Sequence, residues 1–314
     1  MMSTHSRISL SLRRLGGLSA IAGLAALLIG AGSTASASTA SKDALVDGLD
    51  KHAYERRIIA DYDIAFGGFT VGEGQFDVGL DENAYFVAVD ARGTGWTSRI
   101  LKLAVSVLSQ GDLTAERPYS RRFVSDSTEI EEFGRRVELD YEEAGAAPEV
   151  DAAPPYDPND LIPVSTYHLE GTQDPVSAIL MPVAVGAEPC PRKIKVFDGR
   201  RRYDLELTPV ETLDTVLPDA PQGSAASLPL EERRAQAMHC ELKFVPVAGY
   251  DAEHKSRIYK SSYKVHVWLA PVPGERVYFP IRLELRTPYG AGVIRMTGLR
   301  EASGGTDTAL LAPE

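Results

Sequence analysis

The chain has 314 residues, of which 33 are lysine or arginine and 44 are aspartate or glutamate, so its formal net charge is −11. A protein this acidic is repelled by phosphate backbones and by anionic membrane surfaces. We therefore expect neither a nucleic-acid partner nor electrostatic attachment to a membrane.

The N-terminal segment has the three parts of a secretory signal peptide. Residues 1–37 contain three arginines and no acidic residue, and they include the apolar run from Leu15 to Gly30. The segment closes with the small-residue site Ala35-Ser36-Ala37. The sequence predicts cleavage after Ala37 and a periplasmic mature protein with 30 basic and 44 acidic residues, a net charge of −14.

Other interpretations of this segment remain open. An uncleaved anchor is disfavoured because the apolar run has 16 residues, fewer than the roughly 20 that span a bilayer. No cysteine lies near the cleavage point, which excludes a lipoprotein, so we expect no permanent membrane anchor. The pair Arg13-Arg14 leaves the twin-arginine export route as an alternative.

The mature chain is predicted to be mainly β: one curved antiparallel sheet of roughly ten strands, an incomplete barrel, with two or three short helices. Residues 38–57 are predicted to be a linker, residues 58–300 a single domain, and residues 301–314 a disordered tail. Alternation of apolar and polar residues predicts strands at Ile58 to Phe66, Phe76 to Leu80 and Tyr85 to Val89.

Three segments favour helices. Trp96 to Leu108 has apolar residues at helical spacing, with Gly111 as a stop signal. Asp174-Pro175 is typical of a helix start and predicts a helix over 174–183. Leu230 to Met238 is a shorter candidate.

The remaining strands follow in the second half of the chain. Their markers are Val137 to Tyr141, Ile194 to Val196, Tyr203 to Leu207, Cys240 to Phe244, Tyr263 to Leu269, Ile281 to Leu285 and Ile294 to Met296, with Asp198-Gly199 and Pro288-Tyr289-Gly290 as turns. Two segments, 144–160 and 218–227, are rich in proline, alanine and small polar residues and are predicted to be mobile insertions.

The two cysteines, Cys190 and Cys240, are predicted to form a disulfide, because an even pair outside the cytoplasm is more often bridged than free. A catalytic thiol is the competing interpretation. His239 adjoins Cys240 in sequence, but neighbouring strand residues point to opposite faces, so this histidine does not support a thiol catalyst.

No catalytic, metal or cofactor signature is present, so we predict a protein that is not an enzyme and that binds neither metal nor cofactor. The six histidines form no zinc-binding spacing, and His266 is interpreted as a surface residue. Arg200-Arg201-Arg202 is interpreted as a solubilising turn, with binding of an anionic group as the alternative. The acidic runs near Glu131 and Glu142 are interpreted as solvated charge.

A curved sheet beside an apolar helix can enclose a cavity for an apolar ligand. The residues predicted to line it are Trp96, Ile100, Leu103, Val107, Val267 and Leu283. A filled core is the alternative.

Several stretches resemble the proteobacterial envelope family called domain of unknown function 3108. They are YDIAFGGFTVGEG, RGTGWTSRILKLAVSVLSQGDLTAERP, DPVSAILMP, VFDGRRRYDLEL and VWLAPVPGERVYFPIRLELRTPYGAGVIRMTGL, and the resemblance covers about residues 58–300. The family is similar to the half-barrel of the lipoprotein carriers LolA and LolB, in which a curved sheet wraps apolar helices and holds acyl chains. The resemblance implies an incomplete barrel with internal or lid helices at Trp96–Leu108 and Asp174–Val183, and it supplies no catalytic residue.

Three functions are compatible with these features. The first is a periplasmic carrier for a lipid or other apolar ligand, such as an acyl chain. The second is a non-catalytic envelope interaction or assembly module with a filled core and a protein partner. The third, a hydrolase, requires a histidine–carboxylate pair in a cleft, which the sequence does not indicate.

Overall fold

The fold is known from a computed structural model. It describes residues 54–95, 104–128, 134–155, 161–184, 187–221, 227–253, 255–256, 264–275, 277–287 and 290–302. The signal peptide, the linker up to residue 53 and the tail beyond residue 302 lie outside the described residues.

Fourteen antiparallel strands form one sheet that does not close. They are β1 Arg56–Phe66, β2 Phe69–Leu80, β3 Ala84–Gly93, β4 Ala104–Leu113, β5 Pro118–Thr128, β6 Gly134–Asp140, β7 Glu149–Ala153, β8 Met181–Pro182, β9 Arg192–Phe197, β10 Arg202–Val216, β11 Arg234–Ala248, β12 Lys264–Pro271, β13 Val277–Thr287 and β14 Gly290–Glu301. The described residues also form two short α-helices, α1 Thr166–Leu169 and α2 Leu230–Arg233, and a 3-10 turn at Ser177–Ile179.

The topology is two meanders joined edge to edge. The strand order is β7-β6-β5-β4-β3-β2-β1-β14-β13-β12-β11-β10-β9, with β8 pairing to β13 off this path. From β1 to β7 and from β9 to β14, successive strands pair with one another. The two exceptions to this order are the antiparallel pairing of β1 with β14 and the pairing of β8 with β13. Short turns make this possible: Gly67 and Gly68, with φ of 57° and 89°, take left-handed conformations that connect β1 to β2.

The predicted helix Trp96–Leu108 is wrong in the part that the structure describes. Ala104 begins β4, which pairs with β3 on one side and with β5 on the other, while residues 96–103 lie outside the described residues. Val105 and Val107 are β-branched, alternate with Ser106 and are buried, which suits a central strand. Gly111 is inside β4 at a register shift rather than at a helix end.

Two further helices are shorter than predicted. Asp174 does begin a turn, but it is the 3-10 turn Ser177–Ile179, and the chain becomes extended again at β8. The third helix ends at Arg233, because from Arg234 onwards the chain pairs with β10 as β11. The predicted insertion 144–160 contains β7, which pairs with β6.

Two large apolar clusters pack against the sheet, and a third, small one contains Phe86, Ala88 and Leu108. The first draws mainly on β1–β6 and includes Tyr85 and Phe123, and the second draws mainly on β9–β13 and includes Cys240 and Val267. Residues 172–183, which we call the internal segment, contribute to both clusters. Its residues Val176 and Leu180 belong to the first cluster, and Ala178 and Met181 belong to the second.

Candidate functional site

The predicted cavity residues that the structure describes belong to the two apolar clusters. Val107 is buried in the first apolar cluster, whereas Val267 is buried in the second and Leu283 packs against that second cluster. Trp96, Ile100 and Leu103 lie outside the described residues. The internal segment contributes apolar side chains to both clusters.

Asp174 holds the internal segment in place. Its carboxylate is fully buried. Oδ1 accepts hydrogen bonds from the backbone N–H groups of Val176 and Ser177, both at 2.8 Å. Oδ2 accepts from the hydroxyls of Ser109 on β4 at 2.7 Å and Ser120 on β5 at 2.5 Å. A buried carboxylate needs such partners to offset its lost hydration.

Tyr85 on β3 completes this polar cluster. Its hydroxyl lies 3.1 Å from Ser109 Oγ. Burial, reinforced by the nearby Asp174 charge, raises the pKa of Tyr85 far above its usual value, so the phenol stays protonated. The Asp174 carboxylate is buried, and both of its oxygens already accept hydrogen bonds. The cluster therefore positions the internal segment against β3, β4 and β5.

The predicted disulfide is confirmed. Cys190 and Cys240 are bridged, with their Cα atoms 6.7 Å apart, and both residues are fully buried in the second apolar cluster. The bridge ties the segment before β9 to β11, two strands away in the sheet order. His239 lies on the opposite side of β11 from the disulfide sulfur, as the strand alternation predicted.

The second half of β10 is a free sheet edge. β9 pairs only with Arg202–Leu207, so within the described residues no strand covers Thr208–Val216 on the side away from β11. Its apolar side chains are open to solvent: Val210 is 54% exposed and Val216 is 50% exposed, with Leu213 between them. Free edges with apolar side chains are templates for another strand.

The tip of the β10–β11 hairpin carries a pocket of about 510 Å³. It is lined by Asp214, Thr215, Val216, Arg234, Ala235 and Gln236. Beyond the tip the chain turns back onto β14, where Leu299 donates its backbone N–H to the carbonyl of Asp219. This contact joins the loop that follows β10 to β14.

An imidazole pair lies on the outer face of the sheet. Nε2 of His239 on β11 lies 3.0 Å from Nδ1 of His266 on β12. Glu211, on the free edge of β10, places Oε1 3.2 Å from Nδ1 of His239. Burial, together with His239, lowers the pKa of His266, so this imidazole is neutral at pH 7.

Aromatic and charged groups surround the pair. The Trp268 ring stacks on His239 with centroids 4.3 Å apart and planes inclined by 6°, and the Arg282 guanidinium lies 4.9 Å from the Trp268 centroid. Glu284, beside them, accepts hydrogen bonds from Arg282 at 2.8 Å and Arg286 at 2.6 Å. Burial favours protonation of Glu284, but these two cations outweigh it and lower its pKa.

The sequence offered no signal for this outer cluster. Its histidines are 27 positions apart, and only the register of β11 with β12, in which His239 faces Trp268 and Glu241 faces His266, brings them together. No motif spacing encodes that register. The alternation did predict that His266 lies opposite the apolar face.

The arginine run at the β9–β10 turn serves internal contacts. The backbone N–H groups of Arg200 and Arg201 donate to Asp198 Oδ1 at 2.9 and 2.6 Å. Arg202 is buried, pairs with Asp204 at 2.6 Å, and donates from Nε to the carbonyl of His168 at 2.9 Å. These contacts give the run a structural role at the turn.

Neither a larger metal-binding group nor a membrane-spanning helix occurs in the described residues. No group of three or more histidine, cysteine, aspartate or glutamate side chains there is arranged to hold a metal ion. No helix in the same residues is long and apolar enough to cross a membrane.

The fold defines a mainly β protein built on one open antiparallel sheet. Residues 61–297 match the model of the family described as protein of unknown function, DUF3108. The chain belongs to that family, as the sequence resemblance indicated. No curated protein matches the chain.

Two solved structures are similar to it. One is the β-barrel-like protein of domain of unknown function DUF1849 from Brucella abortus, at 10% identity and a TM-score of 0.43, covering 80% of this chain and 99% of that one. The other is the hypothetical protein CT021 from Chlamydia trachomatis, at 12% identity and a TM-score of 0.28, covering 81% of this chain and 92% of that one.

Proposed function

We propose that this protein is a non-catalytic interaction module of the cell envelope, which binds an extended segment of a partner protein along the free edge of β10. The observation that carries the proposal is the uncovered stretch Thr208–Val216, where β9 has ended and β11 alone pairs with β10. The internal segment contributes apolar side chains to both clusters, and this packing supports a role at the surface.

An extended partner suits this edge for two reasons. Backbone groups along a free edge supply hydrogen bonds to an added strand, and exposed side chains on that edge supply specificity. Val210, Leu213 and Val216 are such side chains. Natural proteins protect an edge with charged side chains, proline, a β-bulge or a covering element. Here Pro209 and a register shift between Pro209 and Glu211 stand at the start of the stretch, and no strand among the described residues covers it.

The charge of the edge indicates the chemistry of the partner. Glu211 and Asp214 are both exposed on β10, and the whole chain has a net charge of −11. A second copy of this acidic chain is repelled, whereas a segment that alternates apolar and basic residues is attracted. We therefore infer a basic, apolar extended segment rather than self-association.

A carrier for a lipid or other apolar ligand is the second candidate function. It is supported by the side chains of Val107, Val267 and Leu283, which pack into or against the apolar clusters of the sheet. The likeness to LolA-like half-barrels is an expectation from the family resemblance and belongs to this proposal. Binding would require the internal segment to move away from the clusters. Native mass spectrometry of the protein purified without detergent tests this function, since a carrier retains an acyl species at near-unit stoichiometry.

The edge proposal is tested with a defined probe. We would titrate the protein with a peptide as long as the free edge that alternates valine and lysine, and record backbone amide chemical shifts and hydrogen exchange. Binding is expected to shift and protect amides of Thr208–Val216. A peptide that alternates valine and glutamate is expected to bind at least about tenfold more weakly.

Substitutions on β10 test whether the peptide binds along its free edge. The double substitution Val210→Lys and Leu213→Lys is expected to weaken binding of the valine–lysine peptide at least about tenfold. The matched control is Val150→Lys, because Val150 is 44% exposed on the other edge strand, β7. Equal binding of both peptides, protection at β7 instead of β10, or a stable dimer would overturn the proposal.

A further inference from the structure

We propose that His239 and His266 form a binding site for a divalent transition-metal ion, with Cu²⁺ preferred. The observation behind this inference is the 3.0 Å separation between Nε2 of His239 and Nδ1 of His266. Metal–imidazole bonds of about 2.0–2.1 Å place two neighbouring nitrogen ligands about 2.9 to 3.3 Å apart, depending on the angle at the metal. The two imidazoles already have the spacing of a chelating pair.

Glu211 prepares His239 for this role. Its carboxylate lies 3.2 Å from Nδ1 of His239 and accepts the proton of that nitrogen. The lone pair of His239 is then on Nε2, which faces His266. A carboxylate behind a ligating histidine is the usual outer contact of metal sites, where it fixes the tautomer and raises the basicity of the ligand.

His266 needs only a change of tautomer. In the hydrogen-bonded pair its Nδ1 carries the shared proton towards Nε2 of His239. When a metal binds, that proton moves to Nε2 of His266 through solvent, and the lone pair of Nδ1 becomes a ligand.

The pair is held rigidly enough to favour binding. His239 is 9% exposed and stacks on Trp268, which in turn lies under the guanidinium of Arg282. The two histidines lie on paired strands, β11 and β12. Little side-chain entropy is therefore lost when both nitrogens bind one ion.

The donor set decides the metal. Two imidazoles with the remaining positions open to water suit copper, nickel and zinc, and the divalent affinity order places Cu²⁺ highest. Glu284, the nearby buried carboxylate, is occupied by Arg282 and Arg286. The site is thus a two-histidine chelate, in agreement with the lack of any larger donor group among the described residues.

The experiment is titration of tag-free protein with Cu²⁺ alone, followed by calorimetry and electron paramagnetic resonance. The wild type is expected to bind one ion with hyperfine splitting from two nitrogens. His266→Gln is expected to bind at least tenfold more weakly, and Glu211→Gln about tenfold more weakly. His168→Gln, which alters a half-buried histidine on α1, is the matched control and is expected to bind like the wild type.

Other results would overturn the site. They are the absence of Cu²⁺ binding by the wild type, a spectrum with a single nitrogen ligand, or full affinity in a folded His266→Gln variant. His266 is preferred to His239 for substitution because His239 is more deeply packed. If neither variant folds, the nitrogen splitting of the wild type decides the question alone.

Discussion

At Gly111 the sheet leaves no room for a side chain. A Cβ added there would lie 2.0 Å from the backbone oxygen of Tyr119 on the neighbouring strand, at the register shift between β4 and β5. Relief requires the two strands to separate. We expect Gly111→Ala to lower the free energy of unfolding by about 1–3 kcal/mol in urea denaturation, as overpacking usually does.

Gly74→Ala is the control for this change. Gly74 is also in a strand, β2, but the nearest atom to its added Cβ is the Asp90 oxygen at 3.5 Å, an ordinary contact. We expect this variant to differ from wild type by less than about 1 kcal/mol. Equal losses from the two substitutions would show that strand glycine entropy, and not the contact with Tyr119, controls the effect.

The buried carboxylate of Asp174 gives a second prediction about a single residue. Asp174→Ala removes the acceptor for two buried hydroxyls and two buried backbone N–H groups. We expect the free energy of unfolding to fall by about 3 kcal/mol or more, since each buried donor left without a partner costs about 1–3 kcal/mol. Thermal unfolding and chemical denaturation both measure this loss.

Asp112→Ala serves as its comparison. Asp112 pairs with Arg121 on the surface of β4 and β5, with side chains 44% and 42% exposed. Exposed ion pairs contribute about 0–1 kcal/mol. If both substitutions cost equally little, the internal segment is held by apolar packing rather than by the Asp174 carboxylate.

At the scale of single residues, the sequence identified part of this chemistry. Asp174 was predicted as a helix-capping residue because Asp-Pro is a common helix start, and its carboxylate does accept the N–H groups of the following turn. Ser109 and Ser120 could not be assigned to it from sequence, because they reach it across strands 65 and 54 positions away. The pair His239 and His266 was missed for the same reason.

β4 shows how an element can be mistaken. The apolar positions of Trp96–Leu108 fit a helix as well as a strand, because a short run that is apolar on nearly all sides has no clear period. Pairing with β3 and β5 decided the outcome from Ala104 onwards. β7 was missed for another reason: its sequence EVDAA is short, has a single large apolar side chain and is exposed over its first three residues, and it pairs with β6 alone.

The disulfide gives a prediction at the scale of elements. Cys190 and Cys240 are 50 positions apart, and a crosslink over such a loop stabilises a fold by about 4 kcal/mol in the chain-entropy model. We expect the double variant Cys190→Ala and Cys240→Ala to lose about that much free energy of unfolding. The measurement is urea denaturation of both proteins without reductant.

Reduction of the wild type provides the control for that pair. The two sulfurs are fully buried in the second apolar cluster, so we expect reductant to act only after unfolding begins. The reduced wild type should then match the double variant in stability. A double variant as stable as the oxidised protein would show that packing alone holds the segment before β9.

At the scale of the whole molecule, His266 makes stability depend on pH. Burial and the neighbouring His239 lower its folded pKa, with a further contribution from Arg286, while Glu241 and Glu284 act in the opposite direction. The unfolded chain therefore binds a proton more readily, near pH 6.5. Stability is expected to be fully present above that pH and to fall as the pH drops through the lowered folded pKa.

The check is the urea midpoint of metal-free protein measured at several pH values between 7.5 and 5. Wild type should lose stability towards acid more steeply than His266→Gln, because the variant lacks the titrating group. A variant with the same slope as the wild type would assign the effect to carboxylates elsewhere. The comparison is made with a chelator present, so that metal release does not contribute.

The overall architecture was more accessible to prediction than its details. Alternation and glycine turns indicated an antiparallel sheet, and the even cysteine pair of an exported chain indicated the Cys190–Cys240 disulfide; the structure has both. Roughly ten strands were predicted and fourteen are found, because strands such as β5, with the sequence PYSRRFVSDST, are too polar to be recognised. Register across the sheet, which builds the outer histidine pair, is a long-range property that alternation does not encode.

The pairing of β1 with β14 has a consequence for how the sheet is made. Ile58 lies opposite Glu301, so the ladder that unites the two meanders joins chain segments about as far apart in sequence as the domain allows. Such contacts are slow to form, because their loop-closure entropy is lost before they contribute any stability. During vectorial synthesis β1 has no partner on one side until β14 emerges, and a circular permutant that links residue 302 to residue 56 should fold faster.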